Sequence, residues 1–182
     1  METTIALNTS AEDKHEPYSE HFNKFLKERC RMCFSTIPFM RIPRRIVVEM
    51  VYLQIFWINF FIPRDYISDT LSPGAIITGR TYDYNKLCGA GTQYGEYVRT
   101  HENTDNTMQT RTVSAITLRP TGNTRGSFYY YSLATGRQFT RRRCTPIVMP
   151  NEVIDRAHHI ADRQSAQKVS FSPESMGPRF LK

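Results

Sequence analysis

The sequence lacks acidic residues over one long stretch, since no Asp or Glu occurs between Asn106 and Asn151. A one-signed stretch attracts polyanions and is typical of nucleic-acid binding, although solvated basic faces without a partner are also common. The distribution of charge therefore favours a nucleic-acid partner. The cations of this stretch equal the net charge of +7 of the whole 182-residue chain. They are Arg111, Arg119, Arg125, Arg137, Arg141, Arg142 and Arg143.

Cysteine is also scarce. Four cysteines are few for a disulfide scaffold, and the N-terminus, METTIALNTSAEDKHEP, lacks the cationic start and apolar core of a secretory signal. We therefore expect reduced thiols in a nuclear or cytoplasmic protein that is not secreted. Cys30 and Cys33 form a lone CxxC. Because zinc needs four ligands at recurring spacings, the favoured interpretation is two half-buried side chains on a helix.

Apolar side chains at three- and four-residue steps predict helices over residues 20–34 and 151–163. Asn151 is the predicted N-cap of the second helix. Residues 1–16 and 164–182 are polar and carry no such pattern, which is typical of disordered segments.

The run IVVEMVYLQIFWINFFI, residues 46–62, raises the alternative of a membrane span. Its 17 residues lie at the short limit for a span. Glu49, Gln54 and Asn59 point in different directions around a helix, so no single protein contact could hide all three. A carboxylate at mid-bilayer costs on the order of 3 kcal/mol. We therefore predict a core helix buried on most sides in preference to a membrane span.

From Thr110 the apolar period changes to two, which predicts strands over 113–118, 128–133 and 138–144, joined by glycine turns. A further short strand is predicted over 94–98. Alternation along 138–144 puts Arg141 and Arg143 on one face and Arg142 on the other. The run Tyr129–Tyr131 suits aromatic packing on both faces of a small sheet, with base stacking beside the arginines as the alternative.

The order of these features resembles the Pol polyprotein of copia-type retrotransposons, across the back part of the integrase. Three stretches carry the resemblance: FWINFFIP…SDTLSPGAIITGR, YGEYVRTHE and GSFYYYSLATGRQFTRRR. They are similar to the family's helix and loop that end the catalytic core, to the strand that follows, and to a Tyr-rich hairpin with a basic second strand. The resemblance covers residues 15 to about 163.

The resemblance implies an α+β fold. Residues 17–80 would be the two-helix tail of a ribonuclease-H-like integrase core, and 81–148 a small antiparallel β-barrel-like domain. A C-terminal helix over 149–163 would follow.

The family joins element DNA to a genome by Mg²⁺-dependent strand transfer at two Asp and one Glu. The stretch EHFNKFLKERCR matches the family's helix and makes Glu20 the candidate catalytic acid and metal ligand. The two Asp residues would lie upstream, where 19 residues precede Glu20; Asp13, Asp65 and Asp69 do not match them. We therefore expect neither Mg²⁺ nor catalysis from this chain alone, and a first-turn role for Glu20 at the helix dipole.

The expected function is that of an integrase fragment that binds DNA phosphates without sequence specificity, with other integrase or Pol subunits as possible partners. One alternative is a protein-interaction or scaffold fragment. Another is membrane attachment through 46–62, and a third is an enzyme completed by acids from another subunit. The predicted DNA-binding residues are Arg125, Arg137, Arg141, Arg142 and Arg143, with Arg111 and Arg119 adding to the positive field.

Overall fold

A computed structural model describes residues 17–64, 67–81, 83–88, 91–102, 108 and 110–169. Over these residues the chain is α+β, with helices on either side of five strands in the sequence. The helices are α1 (Pro17–Ser35), α2 (Arg44–Phe60), α3 (Pro73–Thr78), α4 (Tyr84–Cys88) and α5 (Asn151–Val169). The strands are β1 (Tyr97–His101), β2 (Thr112–Pro120), β3 (Phe128–Ser132), β4 (Gln138–Arg141) and β5 (Cys144–Pro146).

The three long helices, α1, α2 and α5, confirm the helices that were predicted over 20–34, 46–62 and 151–163. α5 continues to Val169, so the first part of the predicted disordered tail is helical; residues 1–16 and 170–182 lie outside the described part of the chain. Two short helices, α3 and α4, appear where the sequence pattern predicts no helix. In α3, the Ser72 side chain accepts a hydrogen bond from the Ala75 N–H, and Gly79 ends the helix at φ +65°, a conformation that glycine adopts without strain.

The sheet is antiparallel, with strand order β4-β3-β2-β1-β5 and with β4 and β5 as its edges. β1 begins at Tyr97, three residues after the predicted start. The predicted strand 138–144 is two strands, β4 and β5, separated by Arg142 and Arg143. The continuous alternation expected along this stretch is therefore wrong.

Both faces of the sheet carry a hydrophobic core. We call the face that packs on α2, α5 and the α1–α2 connection the outer face, and the opposite face the inner face. The cluster on the outer face comprises Ile37, Phe39, Ile46, Met50, Tyr97, Ile116, Leu118, Tyr131, Leu133, Val153 and Ala157. The inner face forms a second cluster to which every strand contributes: Val98, Ala115, Phe128 and Tyr130, with Phe139 and Cys144 at its margin. The sheet must curl for all five strands to meet there. The outer cluster joins the helical segment and the sheet in one core.

The consecutive tyrosines of β3 are packing residues. Tyr130 and Tyr131 are fully buried and lie in the inner and outer clusters respectively. Tyr129 is half-buried against the outer cluster. The prediction of aromatic packing on both faces is therefore confirmed, and the two buried rings are not accessible for base stacking.

α2 is less buried than the sequence predicts. Its buried residues are Ile46, Glu49, Met50, Leu53 and Gln54. Glu49 and Gln54 lie at the two margins of this one buried face, whereas Asn59 is exposed. Val47 and Tyr52 on the other side are 42% and 52% exposed, so the expectation of a helix buried on most sides is wrong. Among the described residues, no helix has the length and apolar character that crossing a membrane requires.

Candidate nucleic-acid interface

Arg119 on β2 is paired with an acid from α2. Its Nε lies 2.8 Å from Oε2 of Glu49, which is only 1% exposed. Arg45 lies 3.3 Å from the other carboxylate oxygen. The Arg119 guanidinium also contacts the rings of Tyr129 and Tyr52, 4.5 and 5.3 Å from their centroids. A buried carboxylate requires such partners, so Arg119 belongs to the junction between α2 and the sheet. The expectation that Arg119 adds a free charge to the surface is therefore wrong.

Arg141, a predicted DNA-binding residue, is also paired. Its Nε donates to Oε1 of Glu102 at 3.0 Å, and its Nη2 donates to Oε2. Glu102 immediately follows β1, and the curl of the sheet brings it to the end of β4. Glu102 lies outside the acid-free stretch of the sequence, so the lack of acids within that stretch does not leave Arg141 unpaired.

Four of the predicted DNA-binding residues are exposed and form no ion pair within the described part of the chain. Arg142 and Arg143 lie between β4 and β5, whereas Arg137 precedes β4 and Arg125 lies in the β2–β3 connection. Arg137 and Arg142 are separated by the length of β4, roughly 16 Å at the usual rise of a strand. All four arginines are thus exposed to solvent, but they do not form one cluster.

Arg99 on β1 is a further exposed arginine. It lies outside the acid-free stretch and was not predicted as a DNA-binding residue. Val98 and Thr100 are buried, so alternation directs Arg99 and His101 to the outer face of the sheet. Arg99 lies directly opposite Ser114 of β2 and Thr145 of β5. The alternation of buried and exposed side chains in YVRTH was the signal that could have revealed it.

Arg143 shares this outer face. The His101 N–H donates to the Arg143 carbonyl oxygen at 3.1 Å, so the ladder of β1 and β5 extends to this pair. Arg141 instead lies opposite Phe128, a residue of the inner cluster. Arg141 and Arg143 therefore lie on opposite faces, which contradicts the predicted alternation.

Six polar side chains occupy the part of the outer face that extends beyond the core. Cross-strand pairing arranges them in two rows, and no carboxylate lies on this face of β1, β2 and β5 among the described residues. All six have a group that can donate a hydrogen bond to an anion. We call them the outer patch: Thr112, His101 and Arg143 in one row, and Ser114, Arg99 and Thr145 in the other.

Glu20, the candidate catalytic and metal-binding residue, is exposed in the first turn of α1. Within the described residues no three or more His, Cys, Asp or Glu side chains form a group that could hold a metal ion. Asp69 lies on an exposed loop, and Asp13 and Asp65 lie outside the described residues. The residues that are described do not fit a two-Mg²⁺ site, whereas a first-turn acid suits the helix dipole.

Cys30 and Cys33 are half-buried on α1 and pack against the outer cluster, which confirms the favoured interpretation. Burial raises the pKa of the Cys33 thiol to about 11, and the charge of Cys30 adds to this effect. Burial raises the pKa of Cys30 as well. Because the thiolate is both the nucleophile and the metal ligand, these thiols are poorly reactive near neutral pH.

The outer patch and the other exposed arginines together suit the binding of an extended anion. The chain matches no family model, no curated protein and no solved structure. The assignment of a function therefore depends on the residues and on their geometry.

Proposed function

We propose that the chain is part of a copia-type retrotransposon integrase and binds DNA through its phosphate backbone. The observation that carries the proposal is a set of exposed arginines that have no acid partner among the described residues. A cation of this kind releases counterions from DNA when it contacts a phosphate, which provides affinity. In and around the sheet they include Arg99, Arg125, Arg137, Arg142 and Arg143.

The proposed binding is independent of base sequence. Phosphate contacts position a protein on the duplex but carry no sequence information, which requires side chains that reach base edges in a groove. The exposed arginines come from β1 and from the connections between strands, and such short, dispersed elements offer no rigid helix for insertion into a groove.

The integrase assignment is supported by the order of the elements. A charged helix, an apolar helix, a Ser-Pro-Gly segment and an antiparallel sheet follow one another as the resemblance implies. The proposal includes a ribonuclease-H-like origin of residues 17–80 and DNA integration by the parent polyprotein. Strand transfer would require acids beyond those that the described residues bring together, and other integrase or Pol subunits are the proposed partners that could supply them.

The proposal is tested by measuring the affinity for a labelled duplex between 50 and 200 mM salt, about the range over which such contacts are resolved. Three or more phosphate contacts predict a slope of about −3 or steeper in a plot of log affinity against log salt. Two duplexes of unrelated sequence should give the same slope. A flat plot, or binding of one sequence alone, would contradict the proposal.

A protein-interaction fragment is the second candidate function, favoured by the apolar surface of the helices. Tyr18 and Met32 on α1 and Ile77 on α3 are 87%, 63% and 80% exposed. Exposed apolar side chains mark interfaces or aggregation sites where they form a contiguous patch. A concavity of about 240 Å³ opens between α2 and α3. Its lining residues are Phe56, Asn59, Phe60, Gly74, Ile77 and Thr78.

Light scattering over a range of protein concentrations tests this second function. Association that depends on concentration and is weakened by Ile77→Asp would support it, and Thr81→Asp on the neighbouring exposed loop is the matched control. A monomer at every concentration would count against self-association through this surface.

A further inference from the structure

We infer that the outer patch is the principal DNA-contacting surface and that it takes the phosphate backbone of double-stranded DNA. The inference rests on the proposed function and deepens it. Of the predicted DNA-binding residues it keeps Arg143 at the principal contact, and it adds Arg99 and His101 on the outer face of β1, β2 and β5.

The first argument is the chemistry of the patch. Two arginines supply charge and forked donors, three hydroxyls supply neutral donors, and the imidazole of His101 lies 3.0 Å from Oγ1 of Thr145. Arg99 and Arg143 are diagonal neighbours on adjacent strands, with Cα atoms about 7 to 8 Å apart at the usual spacing. Both guanidinium groups can therefore reach the same stretch of phosphate backbone.

The second argument is that the other arginines considered are either paired with an acid or lie apart from the outer patch. Arg119 and Arg141 are neutralised by Glu49 and Glu102. Arg137 lies at the far end of β4 from Arg142 and Arg143. Within the described part of the chain, the outer patch is where two arginines without an acid partner share one face with several hydroxyls.

The third argument concerns the form of the nucleic acid. Proteins that hold single strands stack successive bases on aromatic rings. The outer patch contains no aromatic ring apart from the imidazole of His101, and Tyr130 and Tyr131 are fully buried. Contacts to phosphates alone therefore favour the duplex, whose charge density is higher than that of a single strand.

The test compares two double variants with the same change in charge. Arg99→Gln/Arg143→Gln removes the cations of the outer patch, and Arg125→Gln/Arg137→Gln removes two exposed arginines outside it. Affinity for a duplex and for a single strand of equal length is measured against salt, and thermal unfolding checks that each variant is folded. Thr145→Glu is a third variant, because it adds a carboxylate at an exposed position beside Arg99.

We expect the patch variant to lose roughly tenfold in duplex affinity and about 2 from the salt slope, whereas the control pair loses less than half as much slope. Thr145→Glu should weaken binding similarly, and the duplex should bind more tightly than the single strand. Equal losses from both double variants would overturn the inference while leaving the proposed function intact. Tighter binding of the single strand would overturn the duplex assignment. A wild-type chain that ignores DNA would instead contradict the proposed function itself.

Discussion

Two arginines of the sheet, Arg119 and Arg143, have the same side chain and opposite environments. Arg119 lies under α2, contacts two tyrosine rings and is paired with the buried carboxylate of Glu49. Arg143 lies exposed beside the edge strand, where no described acid pairs with it. The comparison shows that a cation is available to a polyanion only where the fold leaves it without an acid. Net charge alone therefore overstates the binding surface.

The largest expected effect comes from breaking the buried pair. Glu49→Ala leaves the partly buried guanidinium of Arg119 without its carboxylate, and the free energy of unfolding should fall by about 3 to 5 kcal/mol. Chemical denaturation measures this loss. Glu102→Ala is the control, because its pair with Arg141 is partly exposed and should cost about 1 kcal/mol or less. Equal losses of unfolding free energy would show that the Glu49–Arg119 pair is no more buried than the Glu102–Arg141 pair.

Burial of Cys33 against the outer cluster should slow the reaction of its thiol with alkylating reagents. The pKa of Cys33 rises from 9.0 to about 11, so its thiolate fraction at pH 8 falls about a hundredfold, and alkylation should slow accordingly. The unfolded chain binds fewer protons than the folded one between these two values, so stability attributable to Cys33 falls as the pH rises from 9 towards 11. Mass-spectrometric alkylation rates test this. A Cys33 that reacts in the native chain as fast as in denaturant would contradict the burial.

The smallest expected effect separates Arg141 from Arg143. Glu102→Gln releases Arg141 from its pair and should raise DNA affinity about twofold, because one more cation faces the solvent. Arg143→Gln should lower the affinity by a few-fold. Anisotropy titrations at fixed salt measure both changes. If Glu102→Gln weakened binding in a chain of unchanged stability, the ion pair would not be masking Arg141.

The sequence predicted those helices and strands that are long enough to show a regular spacing of apolar residues. α1, α2 and α5 and the strands β2 and β3 appear where period and composition indicate them. α3 and α4 are too short to show a period. The start of β1 was misplaced because Gly95, at φ +82°, interrupts the strand conformation. The bend after Arg141 was missed because arginine is not a residue type that signals a turn.

The candidate site was predicted only in part. Exposure of Arg142 and Arg143 follows from charge, and that of Arg99 could have been derived from the alternation in β1. The pairing of Arg119 and Arg141 could not, because their partners lie 70 and 39 residues away in the chain. Local patterns carry no information about contacts at that separation.

The sequence by itself predicted the long helices and the central strands, the basic character of the sheet and the packing role of the consecutive tyrosines. These follow from local periodicity and composition, which act over a few residues. Only the tertiary structure decided which arginines are neutralised and which face of the sheet carries the free ones. Ion pairing decays over a few ångströms, and the curl of the sheet alone brings Glu102 to Arg141 while keeping Arg99 and Arg143 apart from any described acid.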